Sequence, residues 1–112
     1  MSLDVSLVVT QPTQVFTQNI THNLGLMASK VELGTTTLYQ LLWKPETQGI
    51  RYAHELIHPL MDALKELRAK PHYYSQWNPT NGWGTYESLC GFVAEYLEAC
   101  LTHREAEVQA CR

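Results

Sequence analysis

A chain of 112 residues holds one domain and is too short for two independent cores. With 45% hydrophobic and 17% charged residues it has the apolar surface for a core, which excludes a disordered chain. The formal net charge is -3, and the basic residues Lys30, Lys44, Arg51, Lys65, Arg68, Lys70, Arg104 and Arg112 are scattered, so no general field favours nucleic acid. A local basic pocket for a small anion stays open, because net charge says nothing about a pocket. No apolar run approaches the about 18 residues of a membrane helix. The start, Met1-Ser2-Leu3-Asp4-Val5, lacks the cationic and apolar regions of a signal peptide. Cys90, Cys100 and Cys111 are an odd set without a C-x-x-C pair, and Cys90 and Cys100, in a helical apolar pattern, read as reduced core residues of a cytosolic protein.

Leu3, Val5, Leu7 and Val9 alternate with Asp4, Ser6 and Val8, the period of a strand with one buried face. Pro12 interrupts, and Val15-Phe16-Thr17 reads as a second short strand. The first strand is expected to pair in a hairpin or across a subunit boundary. Ile20, Leu24, Met27 and Val31 recur at helical spacing, with Asn19 and Thr21 placed to cap a helix start and Gly34 to stop it. Leu38, Leu41 and Leu42 predict a short helix that ends before Pro45.

Ile50, Ala53, Ile57, Leu60, Leu64 and Leu67 form a stripe that predicts a long helix over 49–70, with a kink at Pro59, where a backbone hydrogen bond is lost. Residues 71–84 read as an aromatic, turn-rich loop. A last helix from Thr85 to His103 buries Leu89, Phe92, Val93, Tyr96, Leu97 and Cys100. Ala106, Val108 and Ala110 alternate with Glu107 and Gln109 as a final strand, a partner for the first. The fold class is therefore α+β: N- and C-terminal strands in a small antiparallel sheet, packed with two long helices and one or two short ones, in a single domain over 1–112.

Four constellations have chemical content. Asn19-Ile20-Thr21-His22-Asn23 crowds polar side chains at a predicted helix start, whose free amides and positive dipole end suit an anion, although capping alone explains Asn19 or Thr21. Asn78-Pro79-Thr80-Asn81-Gly82-Trp83-Gly84 joins amides to aromatics. Its glycines allow positive φ and close approach of backbone to a ligand. Trp77, Trp83 and Tyr86 are stacking candidates, and asparagine amides can read a purine edge; the plainer alternative is a rigid turn with its tryptophans over the core. Trp43-Lys44-Pro45-Glu46 with Arg51 offers two cations for phosphate, or a solvated loop anchored by Trp43.

The fourth, His54-Glu55-Leu56-Ile57-His58, matches H-E-x-x-H, in which two imidazoles on one helix face hold zinc and the glutamate activates a bound water. Pro59 follows the second histidine at once. The third ligand would have to come from His72, Glu87 or His103, and His54, Glu55 and His58 otherwise flank core Ile57 on a solvated face. There is no G-x-S-x-G, Walker or dinucleotide pattern, and no cofactor is expected. A cysteine nucleophile is not expected either, because Cys90 and Cys100 fall in a buried pattern.

The segments 19–28 (Asn-Ile-Thr-His-Asn-Leu-Gly-Leu-Met-Ala), 42–46 (Leu-Trp-Lys-Pro-Glu), 55–60 (Glu-Leu-Ile-His-Pro-Leu) and 78–87 (Asn-Pro-Thr-Asn-Gly-Trp-Gly-Thr-Tyr-Glu) resemble small phage and prophage proteins of the Thoeris anti-defence sponge family. The resemblance spans roughly residues 19–112 and is most specific in the Asn-Ile-Thr-His-Asn and Asn-Gly-Trp-Gly elements. It implies a phage protein in the cytoplasm of an infected bacterium that sequesters a cyclic ADP-ribose isomer made by a TIR enzyme. It further implies a non-catalytic homo-oligomer built from dimers, with ligand sites near subunit boundaries and no demand for histidine at 54 or 58. The partners expected are a small cyclic nucleotide signal and further copies of the chain, with neither nucleic acid nor membrane. From the polar residues themselves, the pocket is expected to enrich Asn19, Thr21, His22, Asn23, Arg51, Asn78, Asn81, Trp83, Tyr86 and Arg112. The alternatives are a zinc hydrolase using His54, His58 and Glu55, and a phage inhibitor that acts through contact with a host protein.

Overall fold

A computed structural model describes residues 1–9 and 14–112. The architecture is α+β, with a three-stranded antiparallel sheet in the order β2-β1-β5 laid over helices. Strand β1 (Ser2–Val8) pairs in a hairpin with β2 (Gln14–Thr21) and, on its other side, with β5 (Glu107–Cys111). The alternation in β1 sends Leu3, Val5 and Leu7 into the core, while Val9 lies beyond the strand and is exposed. The interruption expected at Pro12 lies outside the described residues.

The period of two also runs through β2, further than the sequence suggests. Phe16, Gln18 and Ile20 face the helices, opposite Leu7, Val5 and Leu3, while Thr17, Asn19 and Thr21 share the outer face with Ser6, Asp4 and Ser2. Asn19 is therefore a strand residue and not part of a helix start. The apolar spacing of Ile20, Leu24, Met27 and Val31 spans three elements: the end of β2, a 3-10 turn (His22–Leu24) and a five-residue helix α1 (Gly25–Ser29). Gly34 does not stop that helix. It takes the positive φ of 74° that turns β3 (Glu32–Leu33) into β4 (Thr36–Thr37).

Helix α2 (Leu38–Trp43) begins at Thr37, whose hydroxyl accepts from Gln40 N, and stops before Pro45. The long helix expected over 49–70 is divided. A 3-10 turn over Pro45–Gln48 closes at Gly49, Tyr52 is extended, and a second 3-10 turn (Ala53–Leu56) leads into α3 (Ile57–Ala69). Pro59 falls in the first turn of α3, where a backbone N–H has no helical acceptor, so the residue loses no hydrogen bond. A helix α4 (Pro71–Ser75) occupies the start of the expected loop. Helix α5 (Tyr86–Thr102) is capped by Thr85, whose hydroxyl accepts from Ser88 N at 3.2 Å.

The buried side chains of β1, β2 and the helices form one cluster. Cys100 lies in it and Cys90 is half-buried; Cys111 is exposed, and all three are free thiols. Burial pushes the Cys100 thiol up to about 12 and raises that of Cys90, so neither is an activated nucleophile. No helix among the described residues is long and apolar enough to cross a membrane.

Candidate ligand-binding site

The end of β2 and the loop before α5 meet at one corner of the molecule. Their junction is Gly84, with φ of 99° and no room for a side chain: a Cβ there would sit 2.9 Å from Leu24 Cγ and 2.9 Å from Thr21 Cγ2. This close approach seats the Asn81–Gly84 turn against Thr21 and Leu24. The turn is held by its own polar groups, since Asn81 Oδ1 accepts from Trp83 N at 2.9 Å and Asn81 Nδ2 reaches Asn23 Oδ1 at 3.4 Å. Asn23 is fixed in turn by Thr21, whose hydroxyl accepts from Asn23 N at 3.2 Å and from Asn23 Nδ2 at 3.0 Å.

Between these segments lies an open cleft of about 490 Å³, lined by Met1, Ser2, Asn19, Thr21, Asn23, Asn81 and Trp83. Its size is that of a small-molecule site. Trp83 is 68% exposed, so an indole face is available for stacking rather than spent on the core. On the opposite wall Asn19 Nδ2 donates to Ser2 Oγ at 2.6 Å and to Asp4 Oδ1 at 2.7 Å. None of the lining side chains is a Lys, Arg, His, Asp or Glu, so the side chains offer amides, hydroxyls, a thioether and an indole, beside the Met1 end of the chain. The fold thus brings together five of the ten residues expected at a pocket: Asn19, Thr21, Asn23, Asn81 and Trp83.

The other five have structural duties elsewhere. His22 Nδ1 accepts the indole N–H of buried Trp43 at 2.6 Å, which satisfies a donor that burial would otherwise strand. Asn78 Oδ1 accepts from Tyr86 N at 2.8 Å at the start of α5. Tyr86 is buried and donates to Leu67 O, and burial pushes its hydroxyl up to about 12. Arg51 lies over the Tyr52 ring, 5.2 Å from its centroid, and pairs with Glu107 at 3.5 Å. Arg112 donates to Trp43 O at 2.7 Å and pairs with Glu46 at 3.1 Å. Trp77 packs edge-on to Tyr73 under Lys30 and does not line the cleft.

The H-E-x-x-H segment does not form the geometry of its pattern. His54 and Glu55 belong to the 3-10 turn and His58 to α3, so the two imidazoles do not share a continuous helix face. His54 stacks on Tyr52 with centroids 5.9 Å apart. Glu55 Oε1 accepts from Tyr52 N and from Arg51 N, both at 2.8 Å, and these amides hold its carboxyl below the usual range. The glutamate is thus occupied in closing the turn. Among the described residues, no group of three His, Cys, Asp or Glu side chains gathers where a metal ion could be held, and His72, Glu87 and His103 supply no third ligand.

Comparison with known protein families, with curated proteins and with solved structures gives no match to this chain.

Proposed function

We propose that this protein binds a small nucleotide-type signal, of the cyclic ADP-ribose class, in the cleft between β2 and the Asn81–Gly84 turn, and withdraws it from solution without degrading it. The observation that carries this reading is the convergence of Asn19, Thr21, Asn23, Asn81 and Trp83 on one cleft, from segments some 58 residues apart in sequence. An exposed indole beside amides and hydroxyls suits a planar base and a ribose. A sponge needs slow release, not transition-state stabilisation, and amides, hydroxyls and an indole are groups that hold a ligand by hydrogen bonding and stacking. The sequence resemblance to the anti-defence sponges adds the phage setting.

Assembly with further copies is part of the same proposal. The edge of β5 is covered by the segment before α3, through Val108 N donating to Arg51 O at 2.8 Å and Ala53 N donating to Ala106 O at 2.9 Å. The outer edge of β2 has no such backbone cover among the described residues, which leaves it free to pair with another chain.

Titration calorimetry with cyclic ADP-ribose isomers and cyclic oligonucleotides tests the binding, with light scattering for the assembly. The expected result is saturable binding of one ligand class, weakened tenfold or more by Trp83→Ala, since base–aromatic stacking is worth about 1–3 kcal/mol. Folded wild-type protein that binds none of them overturns the reading.

A further inference from the structure

We infer that Asn19 gives this cleft a preference for a base that presents an exocyclic amine beside an unprotonated ring nitrogen, as adenine does, over a keto base such as hypoxanthine. The inference rests on the reading of the cleft as a nucleoside pocket and adds the chemistry of the base it selects.

An asparagine amide ordinarily reads either kind of edge, because it can turn over and exchange donor for acceptor. Asn19 lacks that freedom. Asp4 Oδ1 lies 2.7 Å from its nitrogen, and an ionised carboxylate only accepts, so it pins the NH2 end of the amide. The Ser2 hydroxyl, 2.6 Å away, takes the second amide hydrogen. Both donors of Asn19 are thereby consumed, and Oδ1, which has no partner among the described residues, is what the side chain offers to a ligand. At this wall the cleft presents an acceptor.

The neighbouring group has the opposite character. Thr21 stands two residues along β2 on the same face, roughly 7 Å from Asn19. Its oxygen already accepts twice from Asn23, so its own proton is left to donate. Asn23 and Asn81 each commit one amide hydrogen, to Thr21 and to Asn23 respectively, and keep the other. An acceptor flanked by donors complements an amine flanked by a bare ring nitrogen. Along its Watson–Crick edge a keto purine reverses both positions, with a carbonyl oxygen for the amine and a protonated for a bare ring nitrogen, and would set that oxygen against Asn19 Oδ1. A site that leaves buried or fixed polar groups mispaired rejects the wrong ligand more strongly than it rewards the right one.

The experiment measures binding of adenosine and inosine to the wild-type protein and to Asp4→Asn and Asn19→Ala, by calorimetry. Wild type should bind adenosine at least about tenfold more tightly than inosine, the ratio set by one hydrogen bond gained and one mispairing avoided. Asp4→Asn, which lets the Asn19 amide turn over, should narrow the preference to within about threefold. Asn19→Ala should weaken adenosine and leave inosine nearly unchanged. Equal affinity of the wild type for the two nucleosides, or a preference untouched by Asp4→Asn, overturns the inference while leaving the pocket intact. Failure of folded wild-type protein to bind either nucleoside also overturns the inference, and failure to bind the cyclic ADP-ribose isomers as well removes the pocket reading itself.

Discussion

Gly84 and Gly82 sit two residues apart in the same turn, both at positive φ, and alanine at each separates the two costs a side chain meets there. At Gly82, φ is 78° and the space around a new Cβ is empty, so Gly82→Ala carries only the left-handed penalty of about 1–2 kcal/mol. At Gly84, φ is 99° and the Cβ would lie 2.9 Å from both Leu24 and Thr21, closer than real contacts allow. Overpacking of that kind adds about 1–3 kcal/mol, for a total near 2–5 kcal/mol. Against a usual stability of about 5–15 kcal/mol this is a large loss. Urea denaturation followed by far-ultraviolet circular dichroism measures it as a shift in midpoint at constant slope. Gly84→Ala should lose clearly more than Gly82→Ala. Equal losses would mean that the turn is not seated on Thr21 and Leu24, and the cleft would lose its supporting wall.

Three further outcomes follow from the same contacts. His22→Leu strands the buried indole N–H of Trp43 and should cost about 1–3 kcal/mol in thermal or chemical unfolding, while ligand affinity stays near wild type. Asn78→Ala removes the acceptor for Tyr86 N at the start of α5 and should cost about 1 kcal/mol, again sparing affinity. Glu55 is held below its usual range by the amides of Tyr52 and Arg51, so its contribution to stability is complete above that range and disappears as pH falls through its folded-state value. Melting temperatures between about pH 6 and about pH 3 should therefore fall more steeply for wild type than for Glu55→Gln, and parallel curves would contradict the assignment.

The parts of the fold written in local periodicity were legible. Leu3, Val5 and Leu7 in β1, the stripe of α5 and the alternation of Ala106, Val108 and Ala110 each show which face is inward. The full extent of β2 was not, because an edge strand whose outer face carries Thr17, Asn19 and Thr21 looks polar, while Ile20 fits a helical spacing by coincidence. Pro59 would break a helix over 49–70, but α3 begins at Ile57 and the proline falls in its first turn. At the cleft, residue type pointed to segments that the fold brings together, but which member of each lines it depends on partners distant in the chain. Trp43, 21 residues away, claims His22, and Gly84 brings Asn81 to Asn23. Arg51 and Arg112 carry the charge a phosphate needs, but each pairs with a carboxylate outside the cleft, Arg51 with Glu107 and Arg112 with Glu46.

The central claim is that one corner of the molecule takes the ligand. Amide chemical-shift mapping during titration with a cyclic ADP-ribose isomer reads this residue by residue. The largest shifts are expected at Asn19, Thr21, Asn23, Asn81 and the indole N–H of Trp83, with Arg51, Tyr73 and Arg112 unmoved. Saturable shifts confined to some other surface, with the Asn81–Gly84 turn and the end of β2 silent, would contradict it.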